Sequence, residues 1–161
     1  MANLTDVPSP NIPAGVAALD AHLPLILEGR TLQDVGWARP SPYTLCIPLW
    51  ANDQDFYLLR LQFDCYPEWP PGAQFVNPVT KNYDKEKDGC WLPNIEAPHL
   101  RVHKDYQGQG QLICNSSTCE FYKVRHGLDK PEHIWRDTYT FLHTLSTIRD
   151  SIHSFYRGRQ S

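Results

Sequence analysis

The sequence lacks several features that mark whole classes of proteins. No apolar run reaches the roughly 18 residues that a membrane-spanning helix needs. The N-terminus has no basic segment followed by an apolar one, so no secretory signal is expected. Basic residues form no cluster longer than Arg157-Gly158-Arg159 and the net charge is −3, which argues against a nucleic-acid-binding protein. We therefore expect neither nucleic acid nor a membrane among its partners.

The cysteines do not have the pattern of a secreted disulfide framework. There are five of them, an odd number in a chain of 161 residues. We therefore expect a cytoplasmic protein in which most cysteines, Cys46, Cys65 and Cys90 among them, are structural free thiols.

The composition is that of one folded domain with long ordered loops. The hydrophobic content is 41% and the aromatic content 12%, which argues against disorder. Fourteen prolines are many for this length and favour ordered loops over a helical bundle. The polar, proline-rich residues 1–13 predict a flexible arm, and residues 14–161 a single domain.

The first half of the chain predicts a helix followed by antiparallel strands. Helical spacing of apolar residues begins at Ala14, is interrupted by Pro24 and has a plausible stop at Gly29, so it indicates either one kinked helix or two short ones. Residues 44–50 and 56–64 read as two strands joined by a hairpin, and residues 74–76 as a third strand after a proline-rich turn.

The second half predicts a long irregular segment and then a helix. Residues 77–111 show no convincing periodicity, and loops of this length in a compact domain tend to be functional. Asp129-Lys130-Pro131-Glu132 is a helix-start pattern, from which a helix of about 22 residues is expected. Its apolar face would contain Trp135, Leu142, Leu145, Ile148, Ile152 and Phe155. Together the elements predict an α+β fold with an antiparallel meander sheet flanked by an N-terminal and a long C-terminal helix.

The most informative local feature is Cys114, with Cys119 five residues later. Leu112-Ile113 brings Cys114 to the end of a short strand-like run behind a Gly/Gln-rich turn. This is how a loop presents a reactive thiol, although a small buried thiol at a strand end is the ordinary alternative. Cys119 is the weaker candidate, either a buried cysteine or a redox partner of Cys114.

These residues resemble the ubiquitin-conjugating enzyme family. Tyr66-Pro67-Glu68-Trp69-Pro70-Pro71 followed by Phe75 is similar to the family's turn between two strands, and Gly110-Gln111-Leu112-Ile113-Cys114 is similar to the context of its catalytic cysteine. Trp135 could match a tryptophan that recurs later in the family. The resemblance covers about residues 14–155. It implies the family's fold, and a carrier that accepts a ubiquitin-like protein from an activating enzyme as a thioester and passes it to an amine on a target protein.

The oxyanion-stabilising motif of that family, His-Pro-Asn, is absent. The most similar segment is Leu92-Pro93-Asn94-Ile95, in which Asn94 lies 20 residues before Cys114. His103 lies 11 residues before Cys114. These departures are similar to those of divergent bacterial relatives in antiphage defence systems. The resemblance thus implies a catalytic set of Cys114, His103 and Asn94 and no cofactor. Asn115 or a backbone N–H could also stabilise the oxyanion, and Glu120 or Asp129 could assist the attacking lysine.

Two other functions remain open at this point. One is a non-catalytic binding module of the same fold, in which the thiol is incidental. The other is a zinc protein, because His99, His103, Cys114 and Cys119 supply ligand types that suit tetrahedral zinc. A Cys–His hydrolase is weaker, since no nucleophile, base and orienting group stand in an ordered set.

Overall fold

The structure is a computed structural model that describes residues 6–124, 134–136 and 138–161. Within them, the helices are α1 (Ile12–Leu27), α2 (Leu32–Val35), α3 (Cys119–Lys123) and α4 (Phe141–Phe155). The strands are β1 (Ala38–Ser41), β2 (Thr44–Ala51), β3 (Asp55–Gln62), β4 (Gly72–Val76), β5 (Pro93–Ala97), β6 (Leu100–His103), β7 (Leu112–Cys114) and β8 (Tyr156–Arg159). None of the helices in these residues has both the length and the apolar content needed to span a bilayer.

The first helix is fixed by its cap and by one close contact. α1 begins two residues before the predicted start because the Asn11 side-chain oxygen accepts from the Ala14 N–H at 3.2 Å. It continues through Pro24, so the interrupted pattern is one helix rather than two. A Cβ on Gly15 would lie 1.8 Å from the Phe63 carbonyl oxygen. Glycine therefore allows α1 to approach the end of β3.

The first sheet is the predicted antiparallel meander. Its strand order is β1-β2-β3-β4, and the β2–β3 register runs from Thr44 opposite Gln62 to Ala51 opposite Asp55. Asn52 and Asp53 make the turn with φ of 54° and 58°, the left-handed region that these residue types tolerate. The predicted hairpin and third strand are confirmed. β1 and α2, which precede them, were not predicted.

The predicted irregular segment contains a second sheet, and this part of the prediction is wrong. β5, β6 and β7 form an antiparallel meander, and β8 joins the other edge in the order β7-β6-β5-β8. β5 and β6 escaped detection because they are only five and four residues long, whereas β7 is the strand-like run expected before Cys114. The α+β class with antiparallel strands is confirmed, with two sheets in place of one.

The predicted C-terminal helix starts later than its sequence pattern indicates. α4 begins at Phe141, so Trp135 lies before the helix, where its backbone and indole N–H groups make tertiary hydrogen bonds. Leu145, Ile148 and Ile152 are buried as predicted, whereas Leu142 is 43% exposed. The start signal at residues 129–132 lies outside the described residues, and so does the assignment of Asp129 to the site.

The free edge of β4 is where the two halves of the chain meet. Phe75 lies opposite Leu59 of β3, and the N–H and C=O of Phe75 are bound by the buried Gln111 side chain at 2.7 and 2.8 Å. The Ala73 N–H donates to the Glu120 carboxylate at 2.9 Å. Two side chains from the second half thus take the place of a fifth strand on this edge.

Tyr66 joins two helices through one hydroxyl group. Its buried oxygen lies 2.6 Å from His22 Nδ1 on α1 and accepts from the Phe141 N–H at the start of α4 at 3.0 Å. The Tyr66–Pro67 peptide bond is cis. The Pro67 carbonyl accepts from the Trp135 indole N–H at 3.1 Å. The Tyr-Pro turn is therefore a packing centre for both long helices.

Replacing Gln111 with methionine should destabilise the protein strongly. The variant keeps the volume but leaves the N–H and C=O of Phe75 buried without partners, at a cost of roughly 2–4 kcal/mol in the free energy of unfolding. Urea denaturation followed by tryptophan fluorescence measures this loss. Gln109→Met changes the same residue type at an exposed position and should stay within about 0.5 kcal/mol of the parent. Equal midpoints for the two variants would contradict the assigned role of Gln111.

Candidate functional site

Cys114 is the last residue of β7 and shares a sheet face with polar residues. The β6–β7 register sets Arg101 opposite Cys114, Val102 opposite Ile113 and His103 opposite Leu112. Val102 and Ile113 are buried. Residues directly opposite each other in an antiparallel pair point to the same face. Arg101, which is exposed, and Cys114, which is half-buried, therefore lie on the face opposite to Val102 and Ile113.

The loop after Cys114 is held by the Asn115 side chain. Asn115 Nδ2 donates to the His99 carbonyl in the β5–β6 turn at 2.9 Å. Asn115 Oδ1 accepts from the N–H and the hydroxyl of Ser117 at 2.9 and 2.7 Å. The Thr118 hydroxyl lies 2.9 Å from the Ile113 carbonyl. The thiol therefore stands at the start of an ordered turn.

The far side of this turn rests on the aromatic core. The Tyr122 hydroxyl of α3 donates to the Ser116 carbonyl at 2.8 Å and accepts from the Trp135 N–H at 2.6 Å. The Thr144 hydroxyl on α4 donates to the Ser117 carbonyl at 2.8 Å. Trp135 also reaches the Tyr-Pro turn through its indole N–H. The loop that follows Cys114 is thus connected to the Tyr66–Pro71 segment through two aromatic side chains.

The electrostatic surroundings keep Cys114 protonated at rest. Burial raises the pKa of the Cys114 thiol, and no charged group offsets that effect. A thiol with a raised pKa is mainly uncharged at neutral pH. The site therefore presents a protected thiol rather than a preformed thiolate.

The two residues expected to assist Cys114 lie at different distances from it. His103 is on the same strand as Arg101 and on the same sheet face, a diagonal neighbour of Cys114 at about 7–8 Å. Its ring lies 5.3 Å from that of Tyr106. Asn94 is exposed on β5, two strands from Cys114 and offset along the strand, which corresponds to about 12 Å between Cα atoms. The structure brings His103 near the thiol and leaves Asn94 at a distance.

Cys119 belongs to the core rather than to a metal site. It is 1% exposed, and its thiol is hydrogen-bonded to that of buried Cys65, which together with burial raises the pKa of Cys119. No group of three or more metal-binding side chains occurs among the described residues, which include all four members of the suggested zinc set. The zinc alternative is therefore wrong, because Cys119 faces Cys65 in the core while Cys114 lies on a sheet face with His103.

The structure also gives the positions of the other three cysteines and of Glu120. Cys46 and Cys65 are buried as expected, whereas Cys90 is exposed. Glu120 is used on the β4 edge, where its carboxylate accepts from the Ala73 N–H. Arg101 was missed. The alternation of Leu100-Arg101-Val102-His103 is a strand signal, but its pairing with Cys114 depends on the register between β6 and β7, which only the structure shows.

Comparison of the chain with models of known protein families, with curated proteins and with solved structures finds no match.

Alkylation should separate the five cysteines into two groups. Under native conditions iodoacetamide should modify exposed Cys90 and half-buried Cys114, and leave Cys46, Cys65 and Cys119 intact until the protein unfolds. Because burial raises its pKa, Cys114 should react along a pH curve with a midpoint above about 8.5. Peptide mapping by mass spectrometry measures both results. Rapid native modification of Cys119 would contradict its core position.

Glu120 should make part of the stability depend on pH. Burial raises the pKa of Glu120 more than the Ala73 N–H and Lys123 lower it. Its folded state therefore binds the proton more tightly, so this contribution to stability is full below about pH 4.3 and is lost as pH rises through the raised folded pKa. Glu120→Gln keeps an acceptor for the Ala73 N–H and should remove this part of the pH slope. Denaturation between pH 4.5 and 7 tests this, with exposed Glu68→Gln as the control that should retain the slope.

Proposed function

We propose that the chain is a cysteine-dependent carrier and transferase with a ubiquitin-conjugating-enzyme-like fold. It would accept a ubiquitin-like protein from an activating enzyme as a thioester on Cys114 and pass it to an amine of a target protein. The order of α1, a four-stranded antiparallel meander and a Tyr-Pro turn between β3 and β4 supports this fold, since the resemblance implies that order. The second sheet is a departure from the order that the resemblance implies.

The observation that carries the proposal is the half-buried thiol of Cys114 at the start of an anchored turn. Cys46, Cys65 and Cys119 are buried, which leaves them unable to receive a protein-sized substrate. Cys90 is exposed but lies in a 3-10 turn, Gly89–Trp91. Cys114 combines access with an ordered frame, because Asn115 holds the turn to the β5–β6 connection. Covalent catalysis by cysteine needs this combination of access and fixed position.

The chemistry consists of two exchanges at one sulfur. In loading, the Cys114 sulfur attacks the thioester carbonyl on the activating enzyme, a new C–S bond forms, and the enzyme's thiol leaves with the Cys114 proton. In transfer, a lysine amine attacks the carbonyl, the C–N bond forms, and Cys114 leaves as the sulfur takes back a proton. Since the resting thiol has a raised pKa, its proton must be removed as the loaded partner docks. Such a carrier reacts mainly inside its complexes.

A non-catalytic binding module is the second candidate function. The observation in its favour is that burial alone governs the pKa of Cys114, without a base or a cation that would activate the thiol at rest. In that case the sheets and helices would serve as a docking surface and the thiol would be incidental. Retention of cellular function in Cys114→Ser would favour the module over the carrier.

A thioester assay on cysteine variants tests the carrier directly. The protein, a cognate activating enzyme, ATP and the candidate ubiquitin-like protein are incubated and analysed by intact mass and by non-reducing gel. The wild type should form a thiol-sensitive adduct, Cys114→Ala should form none, and Cys90→Ala should form as much as the wild type. Failure of the wild type with an activating enzyme that is itself charged would count against the carrier and favour the module.

The exposed side of α1 is the proposed docking surface for the activating enzyme, a role that the resemblance implies. Leu25 is 74% exposed near the helix end. Beside it, an open cavity of about 300 Å³ is lined by Leu23, Pro24, Leu27 and the arginines Arg30 and Arg39, among others. The resemblance assigns this face, and Leu25 is an exposed apolar side chain on it that a docked partner would cover.

Replacing Leu25 with serine should therefore slow loading without unfolding the protein. Loss of an exposed anchor side chain at an interface typically costs about 1–2 kcal/mol of binding, or roughly a fivefold to thirtyfold lower kcat/KM for the charged activating enzyme. Val79→Ser, at a position 88% exposed and distant in sequence, is the matched control. Urea midpoints of both variants should equal that of the wild type. Unchanged loading by Leu25→Ser would exclude this surface.

A further inference from the structure

Arg101 is the cross-strand neighbour of Cys114. Their Cα atoms are register partners on β6 and β7, so their Cβ atoms lie about 4.5–5.5 Å apart on one sheet face. An arginine side chain is longer than this separation. Its guanidinium group can therefore reach any substrate carbonyl attached to the Cys114 sulfur.

Among the residues that the structure describes, the guanidinium of Arg101 has no hydrogen-bond or ion-pair partner, and the residue is exposed. Glu96 lies opposite Arg101 on the side away from Cys114, but its carboxylate lies 3.7 Å from the Arg157 guanidinium. The positive charge of Arg101 is therefore available to stabilise negative charge that develops on a bound substrate.

The asparagines that could serve the same purpose are less well placed. Asn115 already donates to the His99 carbonyl, and its oxygen accepts from Ser117. Asn94 is about 12 Å from Cys114 across two strands. Acyl transfer from a thioester passes through a tetrahedral intermediate whose oxygen carries a negative charge, and a nearby donor of positive charge stabilises it.

We propose that Arg101 is the oxyanion-stabilising residue for transfer from Cys114. This inference rests on the proposed carrier function and assigns a role that the sequence motifs left to Asn94 or His103. As the lysine nitrogen bonds to the carbonyl carbon, the carbonyl oxygen becomes negative and accepts hydrogen bonds from the Arg101 guanidinium. The C–S bond then breaks and the oxygen returns to a carbonyl. The amine nitrogen loses a proton, and the departing Cys114 sulfur takes one up. Arg101 remains protonated throughout.

The first test measures the placement of Arg101 without any conjugation partner. In a Cys90→Ser background, Cys114 is alkylated by anionic iodoacetate and by neutral iodoacetamide at low salt. Arg101→Gln should lower the ratio of the two rates about threefold, the effect of one charge at this range in water. Arg149→Gln removes an equal charge from an exposed position on α4 and should leave the ratio within experimental error. An unchanged ratio in Arg101→Gln would overturn the proposal.

The second test measures transfer in a single turnover. The thioester is formed on wild-type and variant proteins, the activating enzyme is quenched, and discharge to free lysine is followed over a range of lysine concentrations. Arg101→Gln should lower the maximal rate about 100-fold, with the half-saturating lysine concentration unchanged within about twofold. Arg101→Lys should recover part of the rate, and added ethylguanidine should partly rescue Arg101→Ala. Arg149→Gln, at an exposed position on α4, should discharge like the wild type.

The outcomes separate this inference from the function on which it rests. A wild-type thioester together with normal discharge by Arg101→Gln would overturn the role of Arg101 and leave the carrier function standing. Absence of any wild-type thioester, with a charged activating enzyme present, would overturn both. A fall in the maximal rate with rescue by Arg101→Lys and by ethylguanidine supports both.

Discussion

The unpaired edge of β4 is the constraint on which the rest of the structure depends. A four-stranded meander ends there with backbone groups that must be satisfied. Gln111 and Glu120 satisfy them. Because these two residues flank Cys114 in sequence, closing the edge of the first sheet also fixes where the thiol stands. Folding and placement of the thiol are in this respect a single event.

The sequence predicted the elements whose apolar spacing is long enough to read. The β2–β3 hairpin and α1 each extend over eight residues or more, so their periodicity is clear. β5 and β6 are five and four residues long, and their pairing rather than their pattern makes them strands. The predicted start of α4 was wrong for a different reason. Trp135 has helical spacing with the residues that follow it, but its two N–H groups are held by Tyr122 and Pro67.

The candidate site was predictable only as far as local sequence determines it. Cys114 stands at a strand end before a turn, which the residues around it indicate. The neighbours of Cys114 on the sheet face depend on register, which a sequence without recognisable strands does not provide. This is why Arg101, thirteen positions upstream, was overlooked while Asn94 was included for its likeness to a motif. The suggested zinc ligands do not come together for the same reason. The Cys119 thiol is hydrogen-bonded to that of Cys65 in the core, and the spacing of the four residues along the sequence does not reveal this contact.

The partial burial of Cys114 has a consequence for the lifetime of the protein under oxidising stress. Hydrogen peroxide reacts with thiolates and hardly at all with protonated thiols. A cysteine whose pKa is raised by burial is therefore less readily oxidised to sulfenic acid. In the proposed carrier, the same burial that slows the resting thiol would preserve it for acyl exchange with a partner that removes its proton.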